Sequence, residues 1–349
     1  MRFLSSVDII AGPDAYRELP KLIDIAAEGQ KAINVFLSAE ETYADINPVR
    51  LLNNGVSAFI SIMRGCENYC SYCVVPYTRG KERSRDPESI FNEAKELFEK
   101  GYKEITLLGQ NVNSYKWGKT DNYTDFPAIM EKIACINPLL RIRFATSHPK
   151  DLSDELLKTI AKHSNICRSV HLPAQSGSTK ILNKMNRKYT RELYMNRIES
   201  IRKFIPDCAI STDIISGFCT ETEEDHKDTL SLMKWAKFDY AYMFKYSERP
   251  DTTASTKFKD DISDEIKSKR LQDIIEMQQK LSLESNHQDI GKKFEVLVEG
   301  ISKRSADHLF GRNSQNKVVV FQKKDFNTGD YVNVKILRCT SATLIGEAI

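Results

Sequence analysis

Short apolar runs alternate with longer charged stretches between residue 56 and about residue 250. The apolar runs have the length of buried strands, and the charged stretches repeat their apolar residues with helical spacing. This alternation predicts six strands with helices between them, and therefore a parallel sheet with helical crossovers. The expected strands are 58–63, 104–108, 141–145, 169–172, 209–215 and 240–245. The expected helices are 87–100, 124–135, 151–163, 178–185, 190–204 and 221–237.

Chemically distinctive residues follow the ends of successive predicted strands. In strand order they are Cys66, Gln110, Ser147, Gln175 and Gly217. The carboxyl ends of parallel strands meet at one edge of a barrel, so we expect these residues to share one rim. The predicted fold class is therefore α/β, with a partial parallel (β/α)6 barrel.

The segments on either side of this alternation have different patterns. Residues 260–285 repeat apolar side chains at helical spacing and predict a linking helix. Beyond it, short apolar runs separated by glycines predict a small all-β barrel of a kind that binds nucleic acid. Its expected strands are 294–299, 317–321, 331–337 and 342–345.

The N-terminal segment predicts a strand at 7–11, a helix at 19–27 and a strand at 32–36. These elements are too few to bury a core of their own, so we expect an incomplete α/β unit. The predicted domains are 1–55, then 56–284 with the linking helix, then 285–349.

Composition argues against a membrane or secreted protein. The chain has 349 residues, of which 41% are hydrophobic and 28% charged, as in ordinary globular proteins. No apolar run approaches the roughly 18 residues that span a bilayer, and the N-terminus lacks the apolar core of a secretory signal. We expect a cytoplasmic protein without a membrane partner.

The net charge of +3 lies in the predicted β-barrel. Residues 285–349 contain ten Lys and Arg against seven Asp and Glu, whereas the rest of the chain is balanced. This excess is a modest indication of a partner with a phosphate backbone.

Three of the eight cysteines, Cys66, Cys70 and Cys73, fall within one short stretch. A structural zinc site needs four protein ligands, and iron–sulfur clusters also usually take four cysteines. No fourth ligand lies nearby in sequence, so the spacing favours a metal group with one open position over closed zinc. The remaining cysteines are scattered singly and are expected to be small buried hydrophobes.

The cysteine spacing, Cys-x3-Cys-x2-Cys, resembles the signature of the radical S-adenosylmethionine (SAM) enzymes. The longer string 62–85, Ile-Met-Arg-Gly-Cys-Glu-Asn-Tyr-Cys-Ser-Tyr-Cys-Val-Val-Pro-Tyr-Thr-Arg-Gly-Lys-Glu-Arg-Ser-Arg, resembles the tRNA-2-methylthio-N6-dimethylallyladenosine synthases. Leu-Leu-Gly-Gln-Asn-Val-Asn-Ser-Tyr at 107–115 and Phe-Lys-Tyr-Ser-Glu-Arg-Pro at 244–250 support the same match. The resemblance runs from about residue 7 to the C-terminus.

This resemblance implies a 4Fe–4S cluster held by the three cysteines, with SAM on the open iron, and a TRAM domain at 285–349. It also implies that Tyr72 contacts the SAM adenine. In the family a second cluster is held by three cysteines of an N-terminal methylthiotransferase domain, but no cysteine precedes Cys66 here. We therefore interpret 1–55 as a remnant of that domain and expect the chain to be a fragment that binds one cluster.

Polar residues at the predicted strand ends are the candidates for gripping SAM. Arg187 could pair with the SAM carboxylate through its planar fork. Asp213 or Gln175 could bind the ribose hydroxyls. Ordinary capping or loop hydrogen bonds are an equally good explanation for each, and His148 and His171 are expected to be structural. The full candidate set is Tyr72, Gln110, Ser147, Gln175, Arg187 and Asp213.

Cations directly after the cysteines predict an RNA contact. Phosphates and a stacked base suit such a basic, aromatic stretch, although charge runs usually face water. Weaker candidates lie in the C-terminal domain. The predicted RNA-binding residues are Arg79, Lys81, Arg83, Arg85, Lys303 and Arg304.

The segment Gly217-Phe-Cys219-Thr220 departs from the family's Gly-Phe-Pro-Gly. We expect a tight turn with Thr220 or Thr222 capping the next helix. The replacement of glycine by Thr220 should be tolerated if the turn needs no positive φ. Cys219 is not expected to be a cluster ligand.

The leading hypothesis is a monomeric tRNA methylthiotransferase that modifies isopentenyladenosine at position 37 of the anticodon loop. It would need a reducing electron donor. Without the second cluster's cysteines, we expect this chain to cleave SAM but not to complete methylthiolation. The alternatives are a threonylcarbamoyl adenosine substrate, an aspartate of a ribosomal protein, which the basic tail disfavours, or a non-catalytic RNA-binding protein with a structural metal.

Overall fold

The computed structural model describes residues 6–46, 48, 50, 55–119 and 121–349. The N-terminal unit consists of β1 (Ile9–Ala11), α1 (Leu19–Ala27) and β2 (Ala32–Asn34). β1 and β2 pair in parallel, as expected for strands joined by a helix. The helix matches its predicted bounds, and both strands are shorter than predicted. The part of the predicted 1–55 unit at residues 1–5, 47, 49 and 51–54 lies outside the described residues.

All six predicted strands and all six predicted helices are present in the central region. The first predicted strand is divided, because the chain turns after β3 and its continuation pairs with a strand beyond the cysteines. The elements in chain order are β3 (Ser57–Ser61), β4 (Met63–Arg64), α2 (Val75–Arg79), β5 (Arg83–Ser84), α3 (Pro87–Glu99), β6 (Glu104–Leu108), β7 (Lys116–Lys119), β8 (Asn122–Asp125), α4 (Phe126–Ala134), β9 (Arg141–Phe144), α5 (Asp154–Lys162), β10 (Ser169–His171), α6 (Thr179–Lys184), α7 (Arg191–Phe204), β11 (Ala209–Ser216), α8 (Glu223–Ala236) and β12 (Tyr240–Lys245).

The barrel strands form two parallel ladders. One has the order β3-β6-β9 and the other β10-β11-β12. Between them the connection narrows to a single parallel bridge between Ile142 and Ile166. The arrangement is the predicted partial barrel, and it places the carboxyl ends of all six strands at one rim.

Alternate residues of each strand face opposite sides. Ile60, Ile105 and Ile142 are fully buried in one core with the surrounding helices. The other face lines the barrel interior and is more polar, as at Asp213 and its cross-strand neighbour Tyr242. The outer face of the barrel is therefore packed against the helices, whereas its interior is open to solvent.

The C-terminal region begins with α9 (Thr253–Lys257) and the linking helix α10 (Asp264–His287). A closed five-stranded barrel follows, with the strand order β13-β14-β15-β17-β16. The sequence predicted four of these strands and missed β14. The five are β13 (Lys293–Ile301), β14 (His308–Arg312), β15 (Val318–Gln322), β16 (Tyr331–Cys339) and β17 (Leu344–Ala348).

The C-terminal barrel docks against the amino ends of the central strands. Glu104, the first residue of β6, is 0% exposed and lies between Arg143 at 2.7 Å and Arg312 of β14 at 2.8 Å. Arg143 also donates to the carbonyl of Asn313 at 2.8 Å. The C-terminal domain thus covers the floor of the central barrel, opposite the rim that carries the cysteines.

Among the described residues, no helix is long and apolar enough to cross a bilayer.

Candidate active site

The cysteines lie on a loop closed at its base by the antiparallel pair β4–β5. The backbone N–H of Cys66 donates to the carbonyl of Gly80 at 3.1 Å, which continues the hydrogen bonding of β4–β5 toward the cysteines. Gly65 has φ +77°, and a Cβ there would lie 1.9 Å from the carbonyl oxygen of Lys81. Only glycine fits this crossing, so the residue before the first cysteine is fixed by sterics.

The middle of the cysteine loop is attached to the segment after α6. The backbone N–H of Ser71 donates to the carbonyl of Met185 at 2.9 Å, and its hydroxyl donates to the carbonyl of Lys184 at 2.8 Å. The side-chain amide of Asn186 donates to the carbonyl of Tyr69 at 2.7 Å. The loop after the first strand is therefore held against the loop after the fourth.

Each cysteine sulfur accepts a hydrogen bond. The donors are the Asn68 amide to Cys66 at 3.5 Å, an Arg187 guanidinium nitrogen to Cys70 at 3.3 Å, and the Val75 backbone to Cys73 at 3.4 Å. Burial raises the pKa of the Cys66 and Cys73 thiols, and the neighbouring cysteine thiols raise it further.

The donor set fits an iron–sulfur cluster better than a single metal ion. Within the described residues, no group of three His, Cys, Asp or Glu side chains is arranged to hold one ion. A cluster of several irons is larger, so its cysteine ligands need not converge on one point. Three cysteine sulfurs on one loop, each accepting an N–H hydrogen bond, are the kind of ligand set that such a cluster needs.

Arg187 is buried beside the cysteine loop, with 5% exposure. In addition to Cys70, its guanidinium donates to the Tyr189 hydroxyl at 3.0 Å and to the Pro173 carbonyl at 3.2 Å. The predicted contact with the SAM carboxylate stays a prediction. The structure places this fixed positive charge directly against a cysteine sulfur.

Several polar atoms on the rim are buried without a partner among the described residues. They include Oε1 of Gln110 and Oγ of Ser147, both predicted to grip SAM. Oδ1 of Asn111 and Nε2 of His148 are also buried without a hydrogen-bond partner among the described residues. Leaving a buried polar atom unsatisfied costs about 1–3 kcal/mol, so such a group of atoms indicates space for a polar ligand.

Gln175 and Asp213 lie side by side on the second ladder. Gln175 has φ +67° and donates its backbone N–H to the Asp213 carbonyl at 2.8 Å. The Asp213 carboxylate faces the interior, with an oxygen 3.4 Å from Nε2 of His171. The Ser211 hydroxyl meets the other ring nitrogen of His171 at 3.0 Å. His171 therefore belongs to a polar row lining the interior.

His148 is held neutral. Burial, together with the positive charges of Arg187 and Lys150, lowers the pKa of His148 to about 2. Its Nδ1 accepts from the Lys150 backbone at 3.3 Å, and its ring meets Tyr189 edge to face at 5.5 Å. The hydrogen bond to Nδ1 agrees with the structural role expected for His148. Its Nε2 has no partner within the described part of the chain.

Tyr72 packs on the far side of the cysteine loop. Its ring meets Phe218 edge to face at 6.5 Å, within an apolar cluster that includes Met185 and Tyr246. Cys219 is fully buried in the same cluster. The turn at 217–220, where the sequence differs from the family, therefore packs against the cysteine loop through Tyr72.

Thr220 adopts φ +66°. The turn therefore does need a positive φ, and replacing the family's glycine by threonine introduces backbone strain here. The Thr220 hydroxyl accepts from the Lys184 ammonium, and its backbone N–H donates to Asp261 at 2.7 Å. These contacts hold a β-branched residue in a region that disfavours it. Thr222 caps α8, through a capping box with Asp225.

The predicted RNA-binding cations divide into two groups. Arg83 and Arg85 are each 6% exposed and form ion pairs with Asp14 and Glu93, respectively. We correct the prediction for both, because a buried guanidinium that is already engaged in an ion pair is not available to a phosphate. The four others are exposed and form no ion pair with a described residue: Arg79, Lys81, Lys303 and Arg304.

Sequence reasoning missed the role of Asp14. Its side chain is 0% exposed and lies 3.2 Å from Arg83 and 3.6 Å from Arg64, the residues that face each other in β4–β5. It also accepts from the Ser38 backbone at 3.0 Å. A carboxylate of the N-terminal unit thus ties together both ends of the cysteine loop. No local pattern marks it, because its partners are distant in sequence.

Two family models match the chain. The Radical SAM superfamily model matches residues 60–233, and the TRAM domain model matches residues 288–349. These segments contain the cysteine loop and the C-terminal barrel.

Curated relatives align over nearly the whole chain. The tRNA-2-methylthio-N(6)-dimethylallyladenosine synthase of Parabacteroides distasonis is 56% identical over 342 residues, covering 98% of this chain and 75% of the relative. The protein of the same name from Phocaeicola vulgatus is 57% identical over 343 residues, with the same two coverages.

A solved structure shares the fold. The radical S-adenosylmethionine methyltransferase TsrM from Kitasatospora setae, with tryptophan and a SAM analogue bound, aligns with a TM-score of 0.51. It is 15% identical over 67% of this chain and 50% of that chain, so the likeness concerns the fold alone. The identity and coverage of the curated relatives place the chain in the family of tRNA-2-methylthio-N(6)-dimethylallyladenosine synthases, within the radical SAM superfamily.

Proposed function

We propose that this chain binds one 4Fe–4S cluster through Cys66, Cys70 and Cys73 and leaves one iron position for the amino and carboxylate groups of SAM. Family membership implies both cofactors. When bound and reduced, they supply a 5′-deoxyadenosyl radical for hydrogen abstraction from a substrate carbon. The observation that carries the proposal is that three hydrogen-bonded thiols share a rim with unpartnered polar atoms.

The residues of the rim have distinct proposed roles. Arg187 holds a positive charge against Cys70, and Gln110 and Ser147 offer their unpartnered atoms to the polar groups of SAM. Tyr72 contributes an aromatic face beside the loop. Asp213 and Gln175 stand at the interior edge, where a ribose could meet them.

The proposed substrate is isopentenyladenosine at position 37 of a tRNA anticodon loop, which would receive a 2-methylthio group. Relatives that are 56% and 57% identical carry the corresponding enzyme name. The exposed cations of the loop and of the C-terminal barrel suit a phosphate backbone. We further propose a monomer that works in the cytoplasm with a reducing electron donor.

The proposed domain division is 1–55, 56–284 and 285–349. It is supported by family matches at 60–233 and 288–349. No cysteine precedes Cys66, so we propose that this chain alone cleaves SAM without completing methylthiolation.

Anaerobic reconstitution with iron and sulfide tests this proposal. We expect about one cluster per chain, formation of 5′-deoxyadenosine after reduction, and no 2-methylthio product on an isopentenylated stem–loop RNA. A triple Cys66→Ala, Cys70→Ala, Cys73→Ala variant is the control and should bind no cluster. A colourless protein that binds zinc and does not respond to SAM would overturn the proposal in favour of a structural metal.

A further inference from the structure

An exposed β-hairpin stands beside the cysteine loop. It consists of β7 and β8, called here the rim hairpin, and neither the family resemblance nor the apolar pattern drew attention to it. All four residues of β7 are exposed. Gly118 has φ +115°, and a Cβ there would lie 2.5 Å from the carbonyl oxygen of Asn122, so the strand crossing requires glycine.

The base of the rim hairpin is joined to the cysteine loop. The carboxylate of Glu82 accepts from the Ser114 hydroxyl at 2.8 Å and from the backbone of Glu67, next to Cys66, at 3.2 Å. The backbone N–H of Lys116 donates to the Ser84 hydroxyl of β5 at 2.9 Å. A ligand on the rim hairpin would therefore lie beside the proposed reaction site.

Each face of the rim hairpin presents one aromatic ring and one lysine. Trp117 and Lys119 share one face because their positions in β7 are two residues apart. On the other face, the Lys116 ammonium lies 3.8 Å from the ring centre of its diagonal neighbour Tyr123. Trp117 is 41% exposed and Tyr123 is 47% exposed.

The positive charge near the rim hairpin comes from its lysines together with the neighbouring cysteine loop. The hairpin itself carries two lysines and two aspartates: Asp125 lies across from Lys116 and caps α4 through the Ala128 backbone at 3.0 Å, and Asp121 lies at the tip. The exposed Arg79 and Lys81 lie on the neighbouring cysteine loop. Two exposed aromatic rings on a two-stranded hairpin bury little surface, so folding stability alone does not explain them.

We propose that the rim hairpin is a binding surface for single-stranded RNA, with Lys116 and Lys119 on phosphates and a base stacked on Trp117. Cations interleaved with exposed aromatic rings are what single strands need, because every base offers a face for stacking. The inference rests on the proposed tRNA function and specifies which surface beside the cluster holds the RNA.

Intrinsic fluorescence provides a direct test, because the chain has two tryptophans. In a Trp235→Phe variant of this 349-residue chain, Trp117 is the remaining reporter. A synthetic anticodon stem–loop RNA should quench its fluorescence. In anisotropy measurements with labelled RNA, Trp117→Ala should weaken binding by between about fivefold and about 150-fold, from roughly 1–3 kcal/mol per stacked base.

Charge removal tests the phosphate contacts. A Lys116→Gln, Lys119→Gln variant should lower the slope of log affinity against log salt by about 1.4, from roughly 0.7 per phosphate on single strands. A matched Lys95→Gln, Lys158→Gln variant neutralises two exposed lysines on helices α3 and α5 and should leave the slope unchanged.

The RNA-binding results distinguish a failure of this inference from a failure of the proposed tRNA function. If the parent chain binds the stem–loop but the rim-hairpin variants bind it equally well, the inference is overturned and the proposed function stands. If the parent chain does not bind this RNA, both fail. Equal quenching of Trp117 by poly-glutamate would also overturn the inference, since it would indicate an acidic protein partner.

Discussion

The two ends of the central barrel are built in opposite ways. At the floor, buried charges are paired, as Glu104 is with Arg143 and Arg312, although amide atoms of Asn313 and Gln315 have no partner among the described residues. At the rim, buried polar atoms without partners gather around the cysteine loop.

Backbone conformation shows the same contrast. Many of the non-glycine residues with positive φ lie in the loops at the rim, where each costs on the order of 1–3 kcal/mol. They are Tyr69, Thr146, Gln175, Asn186, Lys188 and Thr220. The floor stabilises the fold, whereas the rim retains unfavourable features that a ligand could relieve.

The largest effect is expected at the floor. Glu104→Gln leaves the buried Arg143 guanidinium without its carboxylate and Arg312 with Glu299 alone, and should lower the free energy of unfolding by about 3–5 kcal/mol. Chemical denaturation measures this loss. Glu99→Gln, at an exposed pair with Lys95, should change it by less than about 1 kcal/mol. Equal losses in both variants would contradict the contrast between buried and surface pairs.

The same carboxylate should make stability depend on pH. Burial acts to raise the pKa of Glu104, but Arg143 and Arg312 outweigh it, so the pKa is lowered. The stabilisation is therefore complete above the unfolded value of about 4.3 and is lost as pH falls through the lower folded pKa. Glu104→Gln should remove this part of the acid sensitivity.

The next largest effect is expected where the N-terminal unit meets the cysteine loop. Asp14→Asn keeps a hydrogen-bond acceptor but removes the charge that faces Arg83 and Arg64, and should cost about 2–3 kcal/mol locally. We expect a chelator to strip iron from the reconstituted variant several times faster. Asp45→Asn, at an exposed pair with Arg17, should lose iron at the parent rate; if Asp14→Asn does so too, Asp14 does not hold the loop.

A rim substitution should separate binding from stability. Ser147→Ala removes an unpartnered hydroxyl, so the free energy of unfolding should stay constant or rise by up to about 1 kcal/mol, while SAM affinity falls about fivefold. Ser153→Ala is the matched control, because that hydroxyl caps α5. It should cost about 1 kcal/mol without changing SAM affinity. Calorimetric titration with SAM would refute the assignment if Ser147→Ala bound normally.

The smallest effect is expected at the turn that departs from the family. Thr220→Gly relieves a positive φ and should raise the free energy of unfolding by about 1 kcal/mol, after the loss of the Lys184 contact and the added flexibility of the unfolded chain. Thr222→Gly makes the same exchange two residues later, where φ is −87° and the threonine caps α8. Denaturation should show a loss there; gains at both positions would contradict the assignment of strain.

The parts of the site that the sequence predicted correctly depend on residues that are close together in the chain. The spacing of Cys66, Cys70 and Cys73 identified the loop, and the strand order put Gln110 and Ser147 on its rim. The exposed hairpin was missed because its strands are short and polar, so no apolar alternation marks them. β14 was missed for a related reason, since the His-Leu-Phe-Gly-Arg run has little apolar length.

Sequence alone determined the alternation of strands and helices, the three-thiol loop and the family resemblance, because these depend on neighbouring residues and their spacing. Tertiary structure decided that Arg83 and Arg85 are structural, that Asp14 closes the loop and that the C-terminal barrel covers the floor. These outcomes depend on burial and on charges brought together from distant positions. A sequence shows the charge of a side chain, but only the fold shows whether water or a counter-ion surrounds it.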